Sequence, residues 1–196
     1  MLRFRSFLVS GLLLLLVAGT ASASVTLRLT LPELTDSSVA VVRGRVVAID
    51  SAWDRPGGTI YTYIEIRIND VLKGEAPRRI TLKQLGGTVG DMSLVVQGQS
   101  EWTRREEVVL FLGVRPRDLT LDTSTLWQGK WTVERDPETG DEQVVRFAGR
   151  DESGEPIDRE QMALADLEAA ARVQSRTSRS VPTGIVFNPP EAPPTR

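Results

Sequence analysis

The sequence predicts a mainly β protein, a small antiparallel barrel or sandwich with a short helix near its start and a longer one near its end. About seven short apolar runs recur at regular spacing between turn residues, a rhythm that favours all-β architecture over alternating strands and helices. The clearest run, Thr59 to Leu72, sets Ile60, Ile64, Ile66 and Ile68 on one face and Tyr61, Tyr63, Glu65 and Arg67 on the other. That period of two marks a half-buried strand. The strongest helical pattern comes late, in the alanine-rich run Met162 to Val173.

The elements follow in order. Thr30-Leu31-Pro32-Glu33 reads as a helix start, since a threonine cap and a glutamate three residues on satisfy free backbone amides reciprocally and proline is tolerated in the first turn. That helix ends near Asp36-Ser37-Ser38. Val39 to Ile49 is a strand rich in β-branched residues, and its apolar positions slip from one face to the other near Gly44, which predicts a bulge or bend there. Pro56-Gly57-Gly58 turns the chain into the Thr59–Leu72 strand, and Lys73-Gly74-Glu75-Ala76-Pro77 breaks it. Arg79 to Leu85 alternates again, Ser93 to Val96 is a short strand, and Glu107 to Val114 is apolar on both faces and therefore central.

Trp127, Gly129, Trp131 and Val133 are expected to share one face of a further strand. Asp136 to Asp141 then forms a hairpin connection to Gln143–Phe147. In the last helix Asp158 is expected to cap, with Gln161 three residues on and Ile157 stapling to Met162. Met162, Ala165, Leu167, Ala169 or Ala170, and Val173 would form its apolar stripe. Beyond it, residues 174–196 carry a Ser/Arg run and five prolines, too little apolar surface to offset ordering, so a disordered tail is expected.

Composition bounds the chemistry. The chain has no histidine and no cysteine in 196 residues. Without them there is no Ser-His-Asp triad, no Cys-His pair, no His-based metal site and no disulfide framework. Arg3 and Arg5, the apolar run Leu12–Val17 and Ala21-Ser22-Ala23 have the layout of a secretory signal cleaved after Ala23. The run from Phe7 to Ala18 is too short to span a bilayer, which takes about twenty residues, so no stable membrane anchor remains after cleavage. A single domain over residues 24–173 and a periplasmic or secreted location are expected. The formal net charge of −2 gives no general attraction to nucleic acid.

Each motif has a plain reading beside the functional one. Gly86-Gly87-Thr88-Val89-Gly90 lacks the lysine and serine of a phosphate loop and reads as a tight turn. Asp136, Glu138, Asp141 and Glu142 fit no calcium spacing and read as a solvated hairpin. Tyr61, Tyr63 and Arg67, with Lys83 near them, have the aromatic and basic character of single-strand binders, against which export and acidity count. A carboxylate pair chosen among Asp50, Asp54, Glu65, Asp91 and Glu101, or a serine with Lys83, defines the alternative of a hydrolase.

Leu34, then Ser38-Val-Ala-Val-Val-Arg-Gly-Arg-Val46, Trp53, Ile60-Tyr-Thr62, Val71-Leu-Lys-Gly74, Gly86-Gly87, Gly90, Val96-Gln-Gly98 and Glu106–Leu112 follow one another in a pattern that resembles a group of small exported bacterial proteins of undefined activity. These in turn resemble the netrin-like domain, the OB-type barrel also found in tissue inhibitors of metalloproteinases. The resemblance implies a partly open OB-type antiparallel barrel with a short N-terminal helix and one longer C-terminal helix. It also implies a partner among exported proteins, with metalloproteases the class encoded near bacterial relatives. Metalloproteinase inhibitors of that family act through an N-terminal cysteine, whereas this chain would begin at Ser24, so that mechanism does not carry over.

The reading is a non-catalytic exported binding module with no cofactor, no metal, no catalytic residue and no nucleic-acid partner. Its expected contact region is Gly86 to Arg105, long and glycine-punctuated, with Gly86, Gly87, Trp102, Arg104 and Arg105 as the candidate residues. Tryptophan and arginine are enriched where interfaces concentrate their binding energy. A plain barrel loop is the alternative for that segment.

Overall fold

A computed structural model describes residues 28–114, 121–123 and 126–177. The expected signal segment, 1–23, and the tail from 178 onward lie outside the described residues. Helix α1 spans Leu31–Ser37, and Thr30 caps it as the sequence indicates: its hydroxyl accepts from Glu33 N while the Glu33 carboxylate accepts from Thr30 N at 2.9 Å. The Thr30 hydroxyl also donates to the Glu33 carboxylate at 2.7 Å, and that bond first, with the one from Thr30 N second, holds the Glu33 carboxyl below its ordinary pKa.

The protein is mainly β. The strands are β1 (Ala40–Trp53), β2 (Ile60–Lys73), β3 (Arg79–Leu85), β4 (Gly87–Val89), β5 (Met92–Leu94), β6 (Glu107–Val114) and β7 (Leu121–Thr123). A 3-10 turn at Leu126–Gly129 leads into β8 (Lys130–Arg135), β9 (Glu142–Arg146), β10 (Gly149–Arg150), β11 (Pro156–Ile157) and β12 (Glu160–Ala163), and helix α2 (Leu164–Thr177) closes the described chain. Eight strands form one sheet in the order β1-β2-β3-β7-β6-β8-β9-β12, with β1 also paired to β6. The pairings β1–β2, β2–β3, β3–β7, β7–β6 and β6–β1 therefore return to their start, the β3–β7 link being one parallel pair, Leu82 with Leu121.

Two clusters share β1 and β6. Ala40, Val42, Val46, Ile64, Ile66, Ile80, Leu82, Val108, Leu110 and Leu112 fill one side, all aliphatic. On the other, Val41, Val109, Phe111, Trp131 and Val144 meet Leu34 of α1 and Leu164, Leu167 and Ala171 of α2. Alternate residues of β6 thus enter different cores, which is why its sequence is apolar on both faces.

The bulge expected near Gly44 is present. The β1–β2 register shifts between Arg43 and Gly44, and a Cβ on Gly44 would lie 2.6 Å from Arg67 O, so only glycine lets the two backbones approach. The Val-Leu-Lys-Gly end of β2 has a comparable cause. Gly74 takes φ +70° and a Cβ on it would lie 2.5 Å from Val39 O, and the buried Lys73 donates to Thr35 O and Asp36 O, a cation on the last carbonyls of α1. Burial pushes the Lys73 pKa down, with Asp36 opposing.

Four expectations are corrected. Residues 160–163 are a strand, and α2 begins at Leu164. Asp158 adopts φ +53° and cannot serve as an extended helix cap, while Glu160 pairs with Arg146 across the β9–β12 ladder and accepts from its guanidinium at 2.7 Å. Arg146 is itself buried against the Trp131 ring, so this strand pairing satisfies a charge that a helix at 160–163 would leave alone. The buried stripe of α2 is Leu164, Leu167 and Ala171 rather than one ending at Val173, which is 63% exposed. The helix also runs to Thr177, four residues into the stretch expected to be tail. Finally, Trp127 and Gly129 belong to the 3-10 turn, where Leu126 takes φ +60° and Trp127 N donates to Gly98 O, so only Trp131 and Val133 of that set lie on β8.

Candidate protein interface

The segment from Gly86 to Glu106 leaves the end of β3 and returns at β6, and the structure divides it in two. The first part is the β4–β5 hairpin, turned at Gly90 with φ +59°. Gly86 and Gly87 both have positive φ, and a Cβ on Gly87 would meet Thr62 Oγ1 at 2.4 Å and Ser51 Oγ at 2.5 Å. The glycines are therefore the hinge that lays the hairpin on β1 and β2, and they accord with the tight-turn reading. Beyond it Met92 is 60% and Val95 84% exposed.

The second part is anchored by buried polar groups. Trp102 donates its indole N–H to Gln84 Oε1 at 2.8 Å, and Gln84 Nε2 donates to Ser100 O at 3.0 Å. Lys130 Nζ lies 4.9 Å from the centre of the Trp102 ring, donates to Glu101 O and pairs with Glu106 Oε2 at 2.9 Å. Both side chains of that pair are about nine-tenths buried. Burial pushes the Lys130 pKa down while Glu106 opposes it. Glu106 also accepts from Thr103 N at 2.9 Å, closing the turn that contains the left-handed Arg105, φ +72°.

Trp102 is therefore half-buried and held between Gln84 of β3 and Lys130 of β8, so its ring is not free. Arg104 is exposed and donates to Ile49 O at 2.9 Å, beside Asp50. Arg105 is exposed, and its backbone N–H donates to Val46 O. The structure thus brings Trp102, Arg104 and Arg105 to one rim with the glycine hinge next to it. The exposed apolar pair Met92 and Val95 was missed. Its signal was present, since Asp91-Met92-Ser93 and Val95-Val96-Gln97 interrupt any period-two pattern and set large apolar side chains among turn residues.

Four of the five carboxylates named for a hydrolase each have a separate partner, and Asp91 lies in the turn of the β4–β5 hairpin. Asp50 faces Arg104, Asp54 accepts from Thr59 N, Glu65 pairs with Arg79 and Glu101 pairs with Arg150. Lys83 lies over the Tyr61 ring at 4.4 Å. A serine and a lysine do share one recess: Ser100, whose buried Oγ has no hydrogen-bond partner, and Lys130 line it with Glu101, Trp127 and Arg146. At about 20 Å³ it has room for a water molecule and not for a substrate. Lys130 is moreover committed to Glu106, which keeps it from acting as a base toward Ser100. Among the described residues no three acids gather to hold a metal ion, and no helix is long and apolar enough to cross a membrane.

No protein-family model, curated protein or solved structure matches this chain. The site therefore rests on geometry: two exposed apolar side chains, Met92 at the turn of the β4–β5 hairpin and Val95 just past its other end, in a segment whose second part is fixed by buried hydrogen bonds.

Proposed function

We propose that the protein is an exported, non-catalytic binding module built on an OB-type, netrin-like barrel, and that it docks another exported protein through the rim formed by Met92, Val95, Arg104 and Arg105. The barrel class is supported by the strand pairings, which link five strands in a ring with one parallel contact between β3 and β7. The docking role rests on one observation above the others. Met92 and Val95 stay exposed although the neighbouring chain is held by the Trp102–Gln84 bond and the Lys130–Glu106 pair, so these apolar side chains are presented beside a support already ordered before binding. Rigid presentation lowers the ordering entropy that a contact must overcome. Exported metalloproteases are the first partner class to test, on the strength of the resemblance alone.

The test immobilises residues 24–196 and exposes them to exported proteins of the source cell and to a purified exported metalloprotease, with the Met92→Asp/Val95→Asp variant in parallel. Retention by the wild type and at least about tenfold weaker retention by the variant is the expected result. Equal retention by both would place the contact elsewhere, and turnover of a small substrate by the pure protein would replace the reading with an enzymatic one.

A further inference from the structure

We propose a second binding surface, at the opposite end of β2, that takes an acidic peptide segment of a partner protein in extended conformation. The observation is a row of arginines across three strands. Arg45 of β1 stands opposite Arg67 of β2, and Arg67 stands opposite Arg79 of β3. Like charges directly opposite one another destabilise a sheet, so the row calls for neutralisation. Glu107 supplies it for Arg45 and Glu65 for Arg79. Arg67, and Arg78 beside it, have no acidic partner among the described residues, and both are exposed. Two uncompensated guanidiniums thus sit together on a chain whose net charge is −2.

They flank a groove of about 730 Å³, within the size range of binding clefts. Ile68, Val71, Ala76 and Pro77 give it an apolar lining between the end of β2 and the connection to β3. Asp70, the acid in the groove, is already engaged, accepting from Arg172 at 2.6 Å and from Val71 N. The groove therefore keeps its positive charge.

The backbone favours a peptide over a bare anion. The ladder between β2 and β3 stops at the Arg67–Arg79 pair, with Ile68 N to Arg78 O as its last bond. From Asn69 to Val71 β2 continues without β3 beside it, and the β1–β2 register gains an extra residue at Asn69. A strand edge that outruns its neighbour offers main-chain groups to an added strand, here those of Asn69 to Val71 other than Val71 N, which Asp70 already holds. Alternate side chains of such a strand would meet the apolar lining and the guanidiniums, and a guanidinium takes a carboxylate in paired hydrogen bonds. A phosphate ion would use the arginines and leave the apolar lining idle.

The probe is a fluorescein-labelled hexapeptide alternating glutamate with valine, titrated at low ionic strength into residues 24–196, with a lysine–valine hexapeptide as control. The acidic peptide is expected to bind and to move the amide resonances of Asn69 to Val71. Arg67→Glu/Arg78→Glu should weaken it roughly tenfold and Arg78→Gln by itself about threefold, both side chains being exposed and their replacement harmless to folding. Met92→Asp/Val95→Asp should leave this binding unchanged, which separates it from the rim at the other end. Absence of binding, equal affinity in the double charge reversal, equal binding of the basic peptide, or full displacement by inorganic phosphate would each overturn the proposal.

Discussion

The two halves of the segment between Gly86 and Glu106 are held by opposite means. Residues 99–106 are held by the half-buried Trp102 indole on Gln84 and by the Glu106 carboxylate, paired out of water with Lys130 of β8, whereas Met92 of the β4–β5 hairpin and Val95 beyond it are exposed. Trp102, a residue type that marks interfaces statistically, does structural work here, and the unremarkable Met92 and Val95 are the large apolar side chains left uncovered. Composition points at a region; burial decides which member of it is available.

The contrast can be broken first at its anchor. Lys130→Ala leaves Glu106 buried without its counter-ion and should lower unfolding free energy by about 3–5 kcal/mol, read by urea denaturation. Trp102→Ala removes a half-buried ring with its bond to Gln84 and should lower it by about 2 kcal/mol. Both variants should also speed amide exchange at Thr103 and Glu106. If either leaves stability and exchange as they were, the anchored half is not anchored by these groups.

Alkaline pH sharpens the comparison. Burial lowers the Lys130 pKa below 10.5, so approaching that value from below the unfolded chain binds more protons than the folded one. Stability therefore rises with pH through that window, and Lys73 contributes in the same direction. Lys130→Met removes its share, so the wild type should gain on the variant as pH climbs toward 10.5 in parallel urea titrations. A difference that stays constant would deny the desolvation. The smallest stability effect belongs to the exposed half: Met92→Asp/Val95→Asp should shift unfolding free energy by less than about 0.5 kcal/mol.

How far the sequence could be read follows the same division between local and distant causes. The capping box at Thr30 and Glu33, the period-two face of β2 and the two-faced β6 are written in adjacent residues, and each element is where those patterns put it. The β12 strand was hidden because its cause is remote: the alanine-rich run after it favours helix, and the buried Arg146, fourteen positions away, draws Glu160 into a ladder instead. The role of Trp102 was hidden likewise, since Gln84 and Lys130 are separated from it by 18 and 28 positions in chain numbering and meet it only when the sheet brings β3 and β8 to it. The exposed pair at Met92 and Val95 was readable as an anomaly of pattern, but only three-dimensional burial separates a covered apolar residue from an open one.

The most direct measurement places a photo-crosslinking amino acid at Val95 in one variant and at Val173 in another, and irradiates intact producing cells. Both positions are exposed and apolar, but only the first lies on the proposed docking rim. A discrete adduct with an exported protein from position 95, absent from position 173, is the predicted result. Adducts of equal yield from both positions, or from position 173 alone, would contradict docking through this rim.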